Sequence, residues 1–127
     1  MKNKNTQEHI QGRWWKINNN IKEKRIDILI NSSSEIYTNN IIDAVKTGIL
    51  NAHMGALPVF KGMNVLEWSL FYGHKIGVTL HFIARRVDAG DIIMFKEIHI
   101  EKGDTINSLR SKAALINVEV ITENINL

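Results

Sequence analysis

Cysteine is absent from this 127-residue chain, so neither a disulfide framework nor a thiolate metal site can organise it. No apolar run approaches the roughly 20 residues that a membrane-spanning helix needs. The opening Met1-Lys2-Asn3-Lys4-Asn5 lacks the apolar stretch of a signal peptide, which leaves a cytoplasmic protein with no membrane partner as the expectation. There is no repeat, linker or low-complexity block. No His-x-x-x-His pair or compact carboxylate loop occurs, so metal catalysis is not expected, although His53, His81, Asp88, Asp91 and His99 are available. No basic-aromatic platform or nucleic-acid reader motif stands out, which argues against a nucleic-acid module.

What is present suffices for a core. The hydrophobic share is 44%, and the length fits a single domain over residues 1–127. The net charge is +3. Lys2, Lys4, Arg13, Lys16, Lys22, Lys24 and Arg25 give the first quarter a basic excess, read as a solvated helix face that could also favour anionic ligands.

Apolar residues at Ile10, Trp14, Ile17 and Ile21 recur at helical spacing, and Trp14 and Trp15 are assigned to helix packing. Ile26 to Ile30 is a nearly continuous apolar run, the pattern of a strand covered on both faces. Ser32, Ser33 and Ser34 offer caps for a helix that places Tyr37, Ile41, Ala44 and Val45 on one face, with Gly48 as its stop. A strand from Ile49 to His53, a helix from Met63 to Phe71 with Trp68 in the core, and strands over Val78–Ala84 and Ile92–Ile100 follow. Ile106, Leu109, Ala113, Ile116 and Val120 trace a last amphipathic helix, capped by Asp104 or Thr105. Alternating strands and helices predict an α/β sandwich of three layers with a mostly parallel or mixed sheet.

The chemistry concentrates at Leu50-Asn51-Ala52-His53-Met54-Gly55-Ala56-Leu57-Pro58. On a strand, residues two apart share a face, so Asn51 and His53 project together. An amide N–H can hold a developing oxyanion and an imidazole can move a proton near neutral pH, a pairing suited to acyl transfer. A polar pair at a strand end can equally be structural, and Asp88 before Ala89-Gly90 can simply shape a turn.

The order of further residues adds to that pair. Asn51, His53, Leu57, Pro58, Phe60 and Gly62 are followed by Gly77, Val78, Thr79 and His81, then by Asp88, Gly90 and Ile92. This succession resembles the formyltransferase family, which uses 10-formyltetrahydrofolate and includes glycinamide ribonucleotide, methionyl-tRNA and sugar-amine formyltransferases. The resemblance is good over about residues 26–100. It implies a catalytic triad of Asn51, His53 and Asp88, with Asp88 orienting His53 and favouring its charged form. It places the folate against the loop of Arg85, Arg86, Val87, Ala89, Gly90 and Asp91, whose backbone would read the pterin while Arg85 and Arg86 could face the carboxylates. It gives Pro58 the task of fixing the loop after His53, and Gly62 that of a close backbone approach. Lys61 could meet an anionic ligand, with solvent as the default. His81 is read as a structural histidine. The acceptor would be a small-molecule amine, with a nucleotide-linked amino sugar as one candidate.

The resemblance covers the C-terminal half of the family's Rossmann-like domain. The family's glycine-rich turn and first strands have no counterpart, so the expectation is a truncated catalytic domain. Its strand at Ile26–Ile30 would be an apolar edge, open to self-association or to a partner chain supplying the missing half. A formyltetrahydrofolate deformylase-like hydrolase shares the Asn, His and Asp and is the alternative within the class. A non-catalytic remnant or subunit with a binding or assembly role is the alternative outside it.

Overall fold

The computed structural model describes residues 4–32 and 36–125. Four strands form one mixed sheet in the order β1-β2-β3-β4. The chain divides into two compact units, residues 1–49 and 50–127.

In the first unit, helix α1 spans Lys4–Lys24, strand β1 Ile28–Asn31 and helix α2 Asn39–Ala44, and the chain then enters strand β2, Gly48–His53. Arg25 takes a left-handed conformation (φ 50°) just past α1, and the Ile26 N–H returns to the Ile21 carbonyl at 3.2 Å, a common way to close a helix end. Ile21, Ile41, Val45 and Ile49 are buried. Trp14 meets Tyr37 edge-on at 5.6 Å, as packing predicts, but Trp15 is 65% exposed. Helix α2 is short. It starts after Thr38 and ends at Val45, so Gly48 opens a strand and does not stop a helix. Ser33 and Ser34, two of the expected caps, lie outside the described residues. The apolar run Ile26–Ile30 is not covered on both faces. Strand β1 sits at an end of the sheet, and Ile28 and Ile30 are 37% and 46% exposed.

The second unit holds most of β2, with helix α3 at Val65–Phe71, β3 at Gly77–Phe82, β4 at Ile92–Glu97 and α4 at Ile106–Asn124. Strand β3 is antiparallel to both neighbours. Alternation along the strands sorts the side chains. Leu50, Ala52, Val78, Leu80 and Met94 face a cluster containing Leu66 and Leu70 of α3 and Leu109, Ala113, Ile116 and Val120 of α4. Asn51, His53, Thr79 and His81 take the opposite face. Helix α4 follows its amphipathic pattern, and Thr105 rather than Asp104 caps it: the Ser108 N–H donates to Thr105 Oγ1, and the Thr105 N–H donates to Ser108 Oγ. Asp104 serves the preceding turn instead. Its carboxylate accepts from the Glu101 N–H, Ser108 Oγ and Lys112 Nζ, and these contacts lower its pKa to about 2, the Lys112 hydrogen bond foremost.

Helix α3 starts two residues later than expected, because Asn64 adopts a left-handed conformation (φ 55°) and leaves Met63 outside the helix and 81% exposed. Trp68 is not a core residue. Val65, Leu66 and Ser69 face inward, and Trp68 lies on the other side of the helix at 51% exposure.

Candidate active site

Strand pairing assembles the site. The β2–β3 register sets Asn51 opposite His81 and His53 opposite Thr79. Four polar side chains therefore share one patch on a face where Thr79 and His81 are fully buried and His53 is 8% exposed. Buried polar groups must find partners, and each of these does. The Thr79 hydroxyl donates to the Gly55 carbonyl at 2.5 Å and accepts from the Leu57 N–H at 3.2 Å, fastening the turn that leaves β2. The Leu57–Pro58 peptide in that turn is cis.

His53 Nε2 lies 2.9 Å from the Phe60 carbonyl. A carbonyl only accepts, so Nε2 carries a proton in this arrangement and Nδ1 is the nitrogen that faces Asp88. Asp88 Oδ2 is 3.8 Å from His53 Nδ1, and Oδ1 is 3.9 Å from His81 Nε2. Both separations exceed a direct hydrogen bond. Asp88 is held by its own contact, the Gly62 N–H donating to Oδ2 at 2.8 Å. Asp88 itself is left-handed (φ 49°), and its side chain is 12% exposed.

Gly62 has a different task from the one expected. Nothing lies within 4 Å of where its Cβ would sit, so close approach is not its reason. Its φ of +88° is, since that conformation aims the N–H at Asp88.

His81 is more than a packed histidine. Its Nδ1 is 2.9 Å from the Phe82 carbonyl and must donate there, which leaves Nε2 to accept from Asn51 Nδ2 at 3.1 Å. Burial, the leading cause, pushes the His81 pKa below the ordinary histidine value, with the nearby His53 acting the same way. The Phe82 hydrogen bond and Asp88 oppose it. The neutral ring thus fixes which end of the Asn51 amide points where. Thr79-x-His81 repeats the two-residue spacing of Asn51-x-His53, but the antiparallel register that aligns the two is a property of the sheet.

The structure brings together Asn51, His53 and Asp88, with His81 between Asn51 and Asp88. It places Arg85, Arg86, Val87, Ala89 and Asp91 on the exposed loop around Asp88. Within that loop the Ala89 N–H turns back to the Arg86 carbonyl at 3.3 Å, and the Asp91 carbonyl accepts from the Phe82 N–H at 2.9 Å. Gly90 packs directly on β3, where any Cβ would overlap the Phe82 carbonyl.

An amide and two imidazoles thus lie beside a carboxylate on an exposed loop, groups able to donate hydrogen bonds and to carry a proton. The profile of the formyl transferase family matches residues 2–125, and the chain belongs to that family. It is 29% identical to the methionyl-tRNA formyltransferase of Geobacillus thermodenitrificans over 80% of this chain and 32% of that protein. It superposes on glycinamide ribonucleotide transformylase 1 from Symbiobacterium toebii with a TM-score of 0.76 at 26% identity, over 87% of this chain and 53% of the other. The formyltransferase PseJ from Anoxybacillus kamchatkensis, solved with UDP-4,6-dideoxy-4-formamido-L-AltNAc and tetrahydrofolate, gives a TM-score of 0.66 at 26% identity over 76% of this chain and 50% of the other. The chain thus spans about a third of the curated relative and about half of the solved chains.

Proposed function

We propose that this chain carries the reaction centre of a formyl transfer from 10-formyltetrahydrofolate to the amine of a nucleotide-linked acceptor, with Asn51, His53 and Asp88 as its catalytic groups and His81 as a positioning residue. The observation that carries the reading is the approach of Asp88 to both His53 and His81, with Asn51 hydrogen-bonded to His81.

The residues suit the folate. An exposed loop offers peptide groups, and the 58%-exposed Val87 side chain gives it an apolar face beside a nearly buried carboxylate. That combination fits a flat heterocycle with hydrogen-bonding edges, so the backbone of Arg85, Arg86, Val87, Ala89, Gly90 and Asp91 is the proposed pterin-binding segment. When bound, 10-formyltetrahydrofolate supplies the formyl carbon that the acceptor nitrogen takes over.

This chain's residues do the rest. Asn51 Nδ2 is hydrogen-bonded to His81, which orients the amide, and the amide serves the negative charge that develops on the formyl oxygen. His53 takes the proton the amine must lose at Nδ1, because Nε2 is committed to the Phe60 carbonyl, and passes it to the folate nitrogen released when its bond to the formyl carbon breaks. Asp88 offsets the positive charge that His53 acquires in that relay. For the acceptor, two of the relatives supply the class: a UDP-linked sugar and methionyl-tRNA both carry a nucleotide. The edge of β1, with Ile28 and Ile30 exposed, is the proposed pairing surface for a second chain.

The test is steady-state formyl transfer with amine acceptors of these classes. His53→Ala is expected to lower kcat about a hundred- to ten-thousand-fold, and Asn51→Ala about a hundred- to a thousand-fold. Unchanged turnover in the His53 variant rejects the assignment.

A further inference from the structure

One short segment touches both members of the His53–Asp88 pair. The Phe60 carbonyl accepts from His53 Nε2 at 2.9 Å, and the Gly62 N–H donates to Asp88 Oδ2 at 2.8 Å. The two groups come from different places, the end of β2 and the loop after β3. They do not hydrogen-bond to each other, since Oδ2 stays 3.8 Å from Nδ1. The backbone of Phe60–Lys61–Gly62, fastened to each, therefore carries their spacing. That backbone is itself held. The Val59 and Phe60 N–H groups both donate to the Ala56 carbonyl at 3.0 Å, and Thr79 ties the preceding turn to β3. From Phe60 onward the support is a side chain. The half-buried Phe60 ring stacks on Tyr72 at 6.3 Å and 30°, and meets His74 edge-on at 5.1 Å and 75°, both residues lying just past α3.

We propose that Phe60 is a positioning residue: its ring, seated against Tyr72 and His74, anchors the Phe60–Gly62 segment, whose carbonyl fixes the His53 tautomer and whose N–H fixes Asp88. This rests on the roles given to His53 and Asp88 in formyl transfer and adds the element that sets them. Catalytic side chains must be held to within about 0.5 Å of their working geometry by the groups around them. Which nitrogen of a histidine carries the proton is set by the bond the other nitrogen makes. With Nε2–H given to the Phe60 carbonyl, Nδ1 keeps its lone pair and can take a proton. If the carbonyl withdraws, nothing holds the proton on Nε2, and the Asp88 carboxylate beside Nδ1 draws it to that side. Nδ1 is then blocked as a proton acceptor. A single aromatic ring in the turn after β2 thus governs both the tautomer and the spacing of the pair.

The tautomer can be read without turnover, on the full chain labelled with 15N. At about pH 8.5, where an ordinary imidazole is neutral, long-range 1H–15N spectra should show His53 in the Nε2–H form, its signal identified by its loss in His53→Ala. Phe60→Ala should convert that signal to a mixture with the Nδ1–H form. It should also lower kcat for formyl transfer about ten- to a hundred-fold, with a smaller change in KM. Phe60→Tyr keeps the ring and should retain both signal and rate. Leu109→Ala weakens the core from α4 and should leave the tautomer native. A second variant, Tyr72→Ala with His74→Ala, removes the seat of the ring at two exposed positions and should shift the tautomer in the same direction as Phe60→Ala. Circular dichroism verifies that each variant folds. A native tautomer in both Phe60→Ala and the double variant overturns the proposal, as does an Nδ1–H form in the unaltered chain. So does an equal shift in Leu109→Ala, because the signal then follows stability alone. The outcomes separate this inference from the reading beneath it. If His53→Ala abolishes transfer but Phe60→Ala changes neither tautomer nor kcat, the positioning role fails alone. If Phe60 sets the tautomer but no acceptor is formylated, the transfer reading fails alone.

Discussion

Replacing Gly90 by alanine tests whether the Asp88 loop is fixed by its contact with β3. The backbone at Gly90 lies so near β3 that a Cβ overlaps the Phe82 carbonyl oxygen and stands 2.7 Å from its carbon and 3.3 Å from the Ala84 nitrogen. These are backbone atoms at the end of β3 and just beyond it, and they cannot swing aside as a side chain can. The loop must lift by about an ångström, which strains the Phe82–Asp91 hydrogen bond of 2.9 Å at its base. Overpacking of this kind costs about 1–3 kcal/mol, or at roughly 4 °C per kcal/mol a fall in Tm of about 4–12 °C. Asp88, two residues away, moves with the loop, and its 3.8 Å approach to His53 has no slack. Misplacing a catalytic group by an ångström costs on the order of a hundred-fold in rate. Gly12→Ala is the control: nothing lies within 4 Å of its Cβ, and in helix α1 it should be neutral or stabilising by up to about 1 kcal/mol. Thermal unfolding and formyl transfer on both variants complete the assay. A Gly90→Ala protein with unchanged Tm and rate refutes the claim that this contact positions Asp88.

Three further outcomes follow from the packing and charges. Leu80 is fully buried in the cluster that also holds Leu50 and Val78, and Leu80→Ala should cost about 2–5 kcal/mol by urea titration, a loss below 1 kcal/mol being incompatible with the core described. The lowered His81 pKa means that the unfolded chain binds this proton first, so the stability linked to His81 is fully present above pH 6.5 and is lost as pH falls through the folded-state value. His81→Asn should flatten that part of the stability–pH curve, and an identical slope in both proteins refutes it. Ile30→Lys places a charge on the apolar edge of β1 and should lower the mass seen by sedimentation if that edge pairs chains, while an unchanged oligomer excludes it.

The elements that packing dictates were legible from periodicity. Helix α4, strand β2 and the turn to α3 follow from apolar spacing, and Asn51 with His53 on one face follows from strand alternation alone. The residues of the site were therefore visible as types, and their succession pointed to the family. Their meeting was not visible, because Asp88 reaches His53 only through its own left-handed conformation, a close backbone contact at Gly90 and a hydrogen bond from Gly62 in another loop. Nor could the chain order reveal that His81 would stand opposite Asn51, which depends on which strands pair and in what register. Trp68 shows the converse limit. An apolar side chain at helical spacing is expected to be buried, yet which face of α3 meets the core is decided by Val65, Leu66 and Ser69, and the aromatic residues are left outside. Sequence fixes local conformation through short-range sterics and hydrophobic period. Register, helix rotation and the proximity of distant side chains are set by the packing of the whole unit, and the chemistry of this protein depends on those.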